Sequence, residues 1–169
     1  MSLVYSIDTS SLISAWNSWY RPDNHPDFWD ALSGLGNEKR LLVSDQVLEE
    51  LKEGGADSPL YLWLKNRETH LCVPSNRAVQ KEQQRLVRTY HRMGFGVNNV
   101  PSGKDYADPF VVAVACIRGA LVITDETMRR RPESKIRIPE VCRLEGLRAR
   151  PIHAIIREEG WRFRRAGTL

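Results

Sequence analysis

Hydrophobic residues fall into short continuous runs that alternate with longer stretches of helical character. The runs at residues 4–7, 40–43 and 120–124 are rich in aliphatic or β-branched side chains, as is typical of strands buried in a parallel sheet. The stretch at 105–118 is apolar almost all round, which predicts a buried helix. Alternating strands and helices predict an α/β protein whose parallel sheet is covered by helices on both faces.

The remaining elements follow from periodicity and from turn residues. Two further short strands are expected at 69–73 and 136–138. Helices are expected at 10–19, 27–35, 45–54, 58–66, 75–93 and 105–118, with a last one opened by Pro139.

Length and composition are those of one globular domain. The chain has 169 residues, of which 41% are hydrophobic and 27% charged, so one full core can be built. Cys72, Cys116 and Cys142 are odd in number and widely spaced, which favours neither a zinc site nor a disulfide framework. With no membrane-length apolar run and no basic-then-apolar leader, a reducing cytoplasm is the expected location.

The positive charge is concentrated in the last third of the chain. The net charge is +4 and the pI about 9.1, which permits nucleic-acid binding without requiring it. Arg129, Arg130 and Arg131 begin an arginine-rich region, and arginine suits bidentate contacts with phosphate. These three side chains are candidates to hold nucleic-acid phosphates, and a solvated surface is the alternative.

Acidic residues recur where strands end. Asp8 follows the first strand, Glu50 lies on the helix after the second, and Asp108 lies in the first turn of the buried helix. Asp125 and Glu126 follow the central strand. Because parallel strands end at one edge, several of these carboxylates are expected to meet there. Their mutual repulsion is relieved by a hard divalent cation, Mg²⁺ or Mn²⁺.

Helical geometry distinguishes Glu50 from its neighbour. The apolar face of that helix is set by Val47, Leu48 and Leu51. Glu50 lies about 110° from the centre of that face and Glu49 about 150°. Glu50 is therefore expected at the rim of the buried face, and Glu49 in solvent.

Several of these positions also have a structural interpretation. Thr9 or Ser10 can accept from the free N–H groups in the first turn of the helix that follows. The alternative for Asp8 is that it is only a turn or cap residue. Asp108 before a proline is an ordinary helix opening, and Asp105 shares that interpretation one turn earlier.

The order and spacing of these pieces resemble the PIN-domain ribonucleases, which include the VapC-type toxins of bacterial toxin–antitoxin modules. The matching stretches are IDTS at 7–10, residues 43–51, ADPFVVAVA at 107–115 and VITDE at 122–126. The segment KIRIPEVC at 135–142 is similar to a PIN-like branch in which an Ile-Pro-x-Val-Cys segment closes the domain.

The resemblance implies a three-layer α/β/α sandwich with a central parallel sheet. It covers about residues 3–150 of a single domain at 1–169, leaving a basic C-terminal helix or tail at about 151–169. It also implies Mg²⁺ or Mn²⁺ and hydrolysis of RNA phosphodiesters.

The family's acidic residues fall on Asp8, Glu50 and Asp108. By spacing, the fourth acid of the family, often an aspartate, corresponds to Glu126. The aspartate of this chain lies one residue earlier, at Asp125, so both residues are candidates. The auxiliary candidates are Asp105 and the hydroxyls of Thr9 and Thr124, each of which can equally be a cap or turn residue.

The toxin resemblance implies an antitoxin partner that covers the acidic cleft. Five aromatic residues lie close together at 16–29, and either a homodimer or an antitoxin complex can use such a face. Ordinary packing between the first two helices is the alternative.

Two other functions are compatible with the residues. A catalytically inactive PIN-like module would bind RNA without cleaving it. A magnesium-dependent phosphatase or receiver-like domain would need a lysine after a strand, whereas Lys104 precedes its Asp.

Overall fold

A parallel five-stranded sheet forms the centre of the part of the chain that the computed structural model describes, residues 2–96, 106–131 and 134–163. The strand order is β3-β2-β1-β4-β5, and every neighbouring pair is parallel. The strands are β1 (Tyr5–Ile7), β2 (Leu41–Ser44), β3 (Cys72–Val73), β4 (Leu121–Ile123) and β5 (Ala149–Arg150).

Helices cover both faces of this sheet and complete the expected three-layer α/β/α architecture. The α-helices in the described ranges are α1 (Thr9–Ser14), α2 (Pro26–Asn37), α3 (Asp45–Gly54), α4 (Pro59–Lys65), α5 (Glu68–Leu71), α6 (Arg77–Tyr90), α7 (Asp108–Arg118), α8 (Ile138–Leu144) and α9 (His153–Glu158). A π-helical turn at Ala15–Trp19 continues α1, and a 3₁₀ turn at His91–Met93 continues α6. Helix α7 packs on β1, β2 and β4, and α6 packs on α7.

The buried helix is where its apolar sequence predicts it. Residues 109–115 of α7 are all buried. Gly119 ends the helix in a left-handed conformation, with φ 62°, which costs glycine little. The first part of the expected helix, including Asp105, lies outside the described residues.

One expected strand is shorter than predicted, and another is wrong. Residues 68–71 form the short helix α5, and only Cys72–Val73 pair with β2. Residues 136–138 form no strand: Ile136 donates its N–H to the carbonyl of Met93 at 2.8 Å, and Ile138 begins α8. Their two-residue spacing places both isoleucines in the core without sheet pairing. The fifth strand is β5, which pairs with β4.

The segment after β5 is tied to the first strand. Glu159 accepts hydrogen bonds from the Tyr5 hydroxyl and from Arg40, whose Nη2 lies 2.5 Å from its Oε1. Trp161 and Phe163 pack edge-on against Phe28. Residues 149–163 therefore pack against the domain and cover one side of it.

Throughout the described ranges, every helix is too short or too polar to cross a bilayer.

Replacing Glu159 tests that closure. In Glu159→Ala the half-buried guanidinium of Arg40 and the Tyr5 hydroxyl lose their shared acceptor. We expect a loss of roughly 1–3 kcal/mol of unfolding free energy, seen as a fall of several degrees in Tm. Glu158→Ala, one residue earlier and exposed, is the matched control. Equal Tm values for the two variants would contradict the proposed tie.

Candidate functional site

Three central strands end together at one edge of the sheet. Ile7 pairs with Val43 on one side and with Ile123 on the other, so β1, β2 and β4 finish in register. The residue that follows β1 is Asp8, and the residue that follows β4 is Thr124. In parallel α/β sheets this edge is where ligands bind.

Asp8 is buried at this edge, with 3% of its surface exposed. It is the N-cap of α1: its Oδ1 accepts the N–H of Ser11 at 2.7 Å. Its Oδ2 accepts the hydroxyls of Ser10 at 2.8 Å and Thr124 at 2.7 Å. The expectation that Thr9 or Ser10 caps α1 is therefore wrong, since the side chain of Asp8 reaches the free amide first.

Burial makes the charge on Asp8 costly. Loss of hydration raises the pKa of this carboxyl above its usual value, while the hydrogen bonds from Ser11, Thr124 and Ser10 lower it in part. These donors are all neutral groups, so the ionised form gains no full opposite charge from them. An ionised Asp8 therefore favours a cation at this edge.

Glu50 is held toward the same edge by two hydrogen bonds. Its Oε2 accepts the hydroxyl of Thr9, and its Oε1 accepts the backbone N–H of Ala107 at 2.8 Å. It is half-buried, whereas Glu49 is exposed and lies 3.6 Å from Lys52. The distinction drawn from the apolar face of α3 thus agrees with the observed exposure.

Asp108 is the first residue of α7, and Ala107 rather than Asp108 is the N-cap. Asp108 therefore lies one residue inside the helix start that the cap interpretation gave it. Its Oδ2 lies 3.8 Å from Nζ of Lys135. The carboxylate of Asp108 therefore has a cation at its side.

Short links connect these three acids. Thr9 follows Asp8 and holds Glu50, and Ala107 precedes Asp108 and holds Glu50 from the other side. The carboxylates do not all approach within 4.8 Å of one another in the described residues. They form a row along the edge of the sheet, in which hydroxyls and backbone amides orient the oxygens of Asp8 and Glu50, and Lys135 lies beside Asp108.

The two candidates for the fourth acid are both engaged by backbone groups. Asp125 accepts the N–H of Ile152 at 3.1 Å, and Glu126 accepts the N–H of Ile138 at 3.0 Å. The Oδ2 of Asp125 is buried and has no hydrogen-bond partner in the described part of the chain. These acids thus fix the starts of the segments that contain α9 and α8.

The three arginines have different surroundings. Arg129 is half-buried, with its Nε 3.0 Å from Oε1 of Glu140 and its Nη1 2.7 Å from the carbonyl of Ser134. Arg130 and Arg131 are exposed. With Arg137 they line an open cleft of about 500 Å³ next to the turn after β4. Arg129 therefore anchors this turn, and the exposed pair faces solvent.

Glu82, Cys116 and Glu145 form a second polar cluster, with ligand atoms within 4.8 Å of one another. Arg85 binds both carboxylates, at 2.7 Å from Glu82 and 2.5 Å from Glu145. Burial raises the pKa of the Cys116 thiol to about 11, so it stays protonated at neutral pH. Because Arg85 supplies a positive charge to both carboxylates, the cluster forms an ion-pair network that ties α6 to α7 and to the end of α8.

The aromatic cluster near the N-terminus is mainly packing. Trp16 contacts Trp29 with ring centroids 4.6 Å apart, and Tyr20 stacks on Phe28 at 4.2 Å. Trp19 differs, with 65% of its surface exposed. The packing interpretation is therefore confirmed for four of the five aromatics.

Sequence reasoning missed some of the groups that support the site. Ser11 could have been found, because an Asp N-cap commonly bonds the amide three residues later. Lys135 and the amide of Ala107 carry no comparable local signal, since they reach the acids from segments distant in sequence.

The fold has a counterpart among solved structures. The crystal structure of VapBC2 from Rickettsia felis, bound to a DNA fragment from their promoter, contains a chain that matches with a TM-score of 0.54. The match has 16% sequence identity and covers 88% of this chain and 98% of that one. At that identity the likeness establishes the fold, which is PIN-like as the motifs indicate.

Comparison with curated proteins found no match. A family model does match, over residues 5–163, and its description is "Domain of unknown function (DUF4411)". Because that match spans nearly the whole chain, the protein belongs to the DUF4411 family.

Proposed function

We propose that this protein is a metal-dependent endoribonuclease that hydrolyses RNA phosphodiesters, and that it is the toxin of a toxin–antitoxin pair. The observation that carries the proposal is the row of Asp8, Glu50 and Asp108 along the carboxyl edge of a PIN-like sheet. Burying a carboxylate that has no cationic hydrogen-bond donor is unfavourable for folding. Groups with a pKa perturbed in this way are concentrated at functional sites.

The donor set fits Mg²⁺ or Mn²⁺. Asp8, Glu50 and Asp108 offer carboxylate oxygens, the ligands that hard divalent cations prefer. When bound, such a cation lowers the pKa of a water and neutralises phosphate oxygens. Glu126, with Asp125 as its rival, remains the candidate for a fourth acid, although each already holds a backbone amide.

The chain's own residues orient the reactants. Thr9 and Thr124 fix the carboxylates of Glu50 and Asp8, so neither needs to reorganise when substrate arrives. Lys135 places positive charge beside Asp108, where a phosphate would lie. Arg130 and Arg131 would hold flanking phosphates, while Arg129 keeps their turn in place through Glu140.

A partner protein follows from the toxin proposal. A free ribonuclease in the cytoplasm would be harmful, so an antitoxin that covers the acidic edge is expected. Trp19 and Ile13, exposed at 65% and 40% near the first helix, offer an apolar contact for an antitoxin or for a second copy of the chain.

One observation favours a second function, an inactive PIN-like module that binds RNA without cleaving it. Both candidates for the fourth acid hold helix-leading segments, as structural residues do. Such a module would bind RNA in the absence of divalent cations and leave it intact.

Asp8→Asn should abolish Mn²⁺-dependent cleavage of single-stranded RNA by the purified protein. We expect a loss of at least about a hundredfold, because even groups that only support a metal ligand are worth about 10–100-fold. Asp23→Asn, an exposed aspartate paired with Arg21, is the matched control and should keep full activity. Full activity of Asp8→Asn would show that Asp8 is not a catalytic residue.

Expression of the same two variants in a bacterium separates the toxin from the binding module. Growth arrest with RNA fragments, produced by the native chain and by Asp23→Asn but not by Asp8→Asn, is expected of a toxin. Absence of both arrest and cleavage would favour the inactive module, and arrest by all three forms would exclude catalysis as its cause.

Cation binding should be visible as a change of stability without any turnover. Mn²⁺ at about a hundredfold above its Kd should raise Tm by roughly 5–10 °C in the native chain and not in Asp8→Asn.

The pH dependence without cation follows from the raised pKa of Asp8. The contribution of Asp8 to the free energy of unfolding is fully present below its ordinary pKa of 3.8. It is lost as the pH rises from there through the raised pKa of the folded state. The Tm of Asp8→Asn minus that of the native chain should therefore grow with pH.

In the cation experiment, an equal rise of Tm on addition of Mn²⁺ to the native chain and to Asp8→Asn would place the cation elsewhere.

The exposed arginines should contribute to the salt dependence of RNA binding. If Arg130 and Arg131 each contact one phosphate, the double alanine variant should flatten the slope of log K against log salt by about 1.4 for single-stranded RNA. Arg129→Ala should instead lower Tm, since it leaves the buried carboxylate of Glu140 without its guanidinium. An unchanged slope in the double variant would show that Arg130 and Arg131 are solvated surface residues that do not contact phosphate.

A further inference from the structure

A polar cleft of about 400 Å³ lies beside the acidic row, within the size range of small-molecule sites. All four glutamines of the chain lie on it, and its described lining carries no charged side chain. The lining residues are Gln46, Ser75, Gln80, Gln83, Gln84, Tyr106 and Phe110. Such a cleft suits a neutral group with many hydrogen-bonding atoms rather than a phosphate.

Gln83 is the residue that points to a ligand. It is 8% exposed and occupies a position in the buried stripe of α6, between Val79 and Leu86. Its side-chain amide forms no hydrogen bond with any other residue in the described ranges. Packing at such a position favours an aliphatic residue. In the described part of the chain the amide of Gln83 is not among the side-chain polar atoms that are sealed from solvent without a partner, so it is open to the cleft. The amide faces the cleft, where a ligand can satisfy it.

The other polar groups make the cleft rich in acceptors. Gln46 donates its amide nitrogen to Asp45 at 3.2 Å and to Ser75 at 3.3 Å, and Gln80 donates to the carbonyl of Ser75 at 2.7 Å. Their side-chain oxygens are left to accept. Gln83 adds a donor and an acceptor side by side, the pattern that pairs with adenine.

An aromatic wall completes the cleft. Tyr106 is half-buried and lies against Phe110 with ring centroids 5.5 Å apart. Aromatic side chains that line a cleft stack on unpaired bases in single-stranded nucleic acid.

The cleft and the acidic row share two supports. Gln46 and Glu50 are four residues apart on α3, so they lie on one face, roughly 5–6 Å apart at Cβ. Tyr106 is followed by Ala107, whose N–H binds Glu50, and then by Asp108. A strand with its phosphate at the acidic row can thus place a neighbouring base in the cleft.

We propose that this cleft is a base-binding site for single-stranded RNA. Tyr106 stacks on an unpaired base, and Gln83 reads a Watson–Crick edge on which an amino group lies next to an acceptor ring nitrogen, as in adenine or cytosine. The inference deepens the proposed ribonuclease function and rests on it for the choice of RNA. Uracil carries one ring N–H between two carbonyls, so it offers the oxygens of Gln46 and Gln80 one donor where an amino group offers two.

Gln83→Leu tests the proposal, because leucine continues the apolar stripe and should leave Tm unchanged or raise it. Binding of oligoadenylate, oligouridylate and duplex RNA is measured by fluorescence anisotropy in EDTA, where cleavage does not interfere. The native chain should bind oligoadenylate about tenfold more tightly than oligouridylate, and both more tightly than the duplex.

Gln83→Leu should lose about tenfold for oligoadenylate and bring the two oligonucleotides within roughly twofold of each other. Tyr106→Leu should weaken both alike, because stacking is insensitive to the base. Asn37→Leu, an exposed amide on the last residue of α2, before β2 and at the opposite edge of the sheet, is the matched control and should behave as native. Native-like preference in Gln83→Leu, or no preference in the native chain, would overturn the base site.

Cleavage assays with the same proteins separate this proposal from the one it rests on. Gln83→Leu should raise KM for an adenine-rich substrate and leave kcat near native. A native chain that prefers oligoadenylate but never cleaves in Mn²⁺ would refute the nuclease and retain the base site. A chain that cleaves without base preference would refute the base site and retain the nuclease.

Discussion

The buried carboxylate of Asp8 is the constraint around which the domain is arranged. It follows the middle strand of the sheet, caps α1 through the amide of Ser11 and accepts the hydroxyl of Thr124 from the next strand. Thr9 and Glu50 extend the same set of bonds to α3, and Ala107 extends it to α7. Helices α1, α3 and α7 and the end of β4 thus meet around two carboxylates, Asp8 and Glu50, at one edge of the sheet.

Local patterns predicted the parts of the structure that depend on burial. The continuous apolar runs around Ile7 and Val122 indicated central parallel strands, and the all-round apolar stretch around Val112 indicated the buried helix α7. The choice of Glu50 over Glu49 agreed with exposure because it used the same rule on a single helix. In these cases one local pattern has one physical solution.

The failures arose where a pattern has two solutions. Ile136 and Ile138 alternate as in a strand, but both reach the core from a loop and a helix start. The two residues of β5 carry no apolar run, and only their pairing with β4 makes them a strand. The roles of Arg129 and Lys135 depend on partners that lie elsewhere in the chain, Glu140 and Asp108. Periodicity carries no information about such contacts.

The sheet order also sets when the acidic edge can exist. Asp8 lies near the N-terminus, whereas Thr124, which holds it, follows a strand made much later, and the bond from Tyr5 to Glu159 spans 154 positions. Contacts that join distant parts of a chain form slowly, because a large loop must close before they stabilise anything. A nascent chain on the ribosome therefore carries the central aspartate long before it has the strand that completes its surroundings. The order of synthesis itself delays the appearance of an organised site.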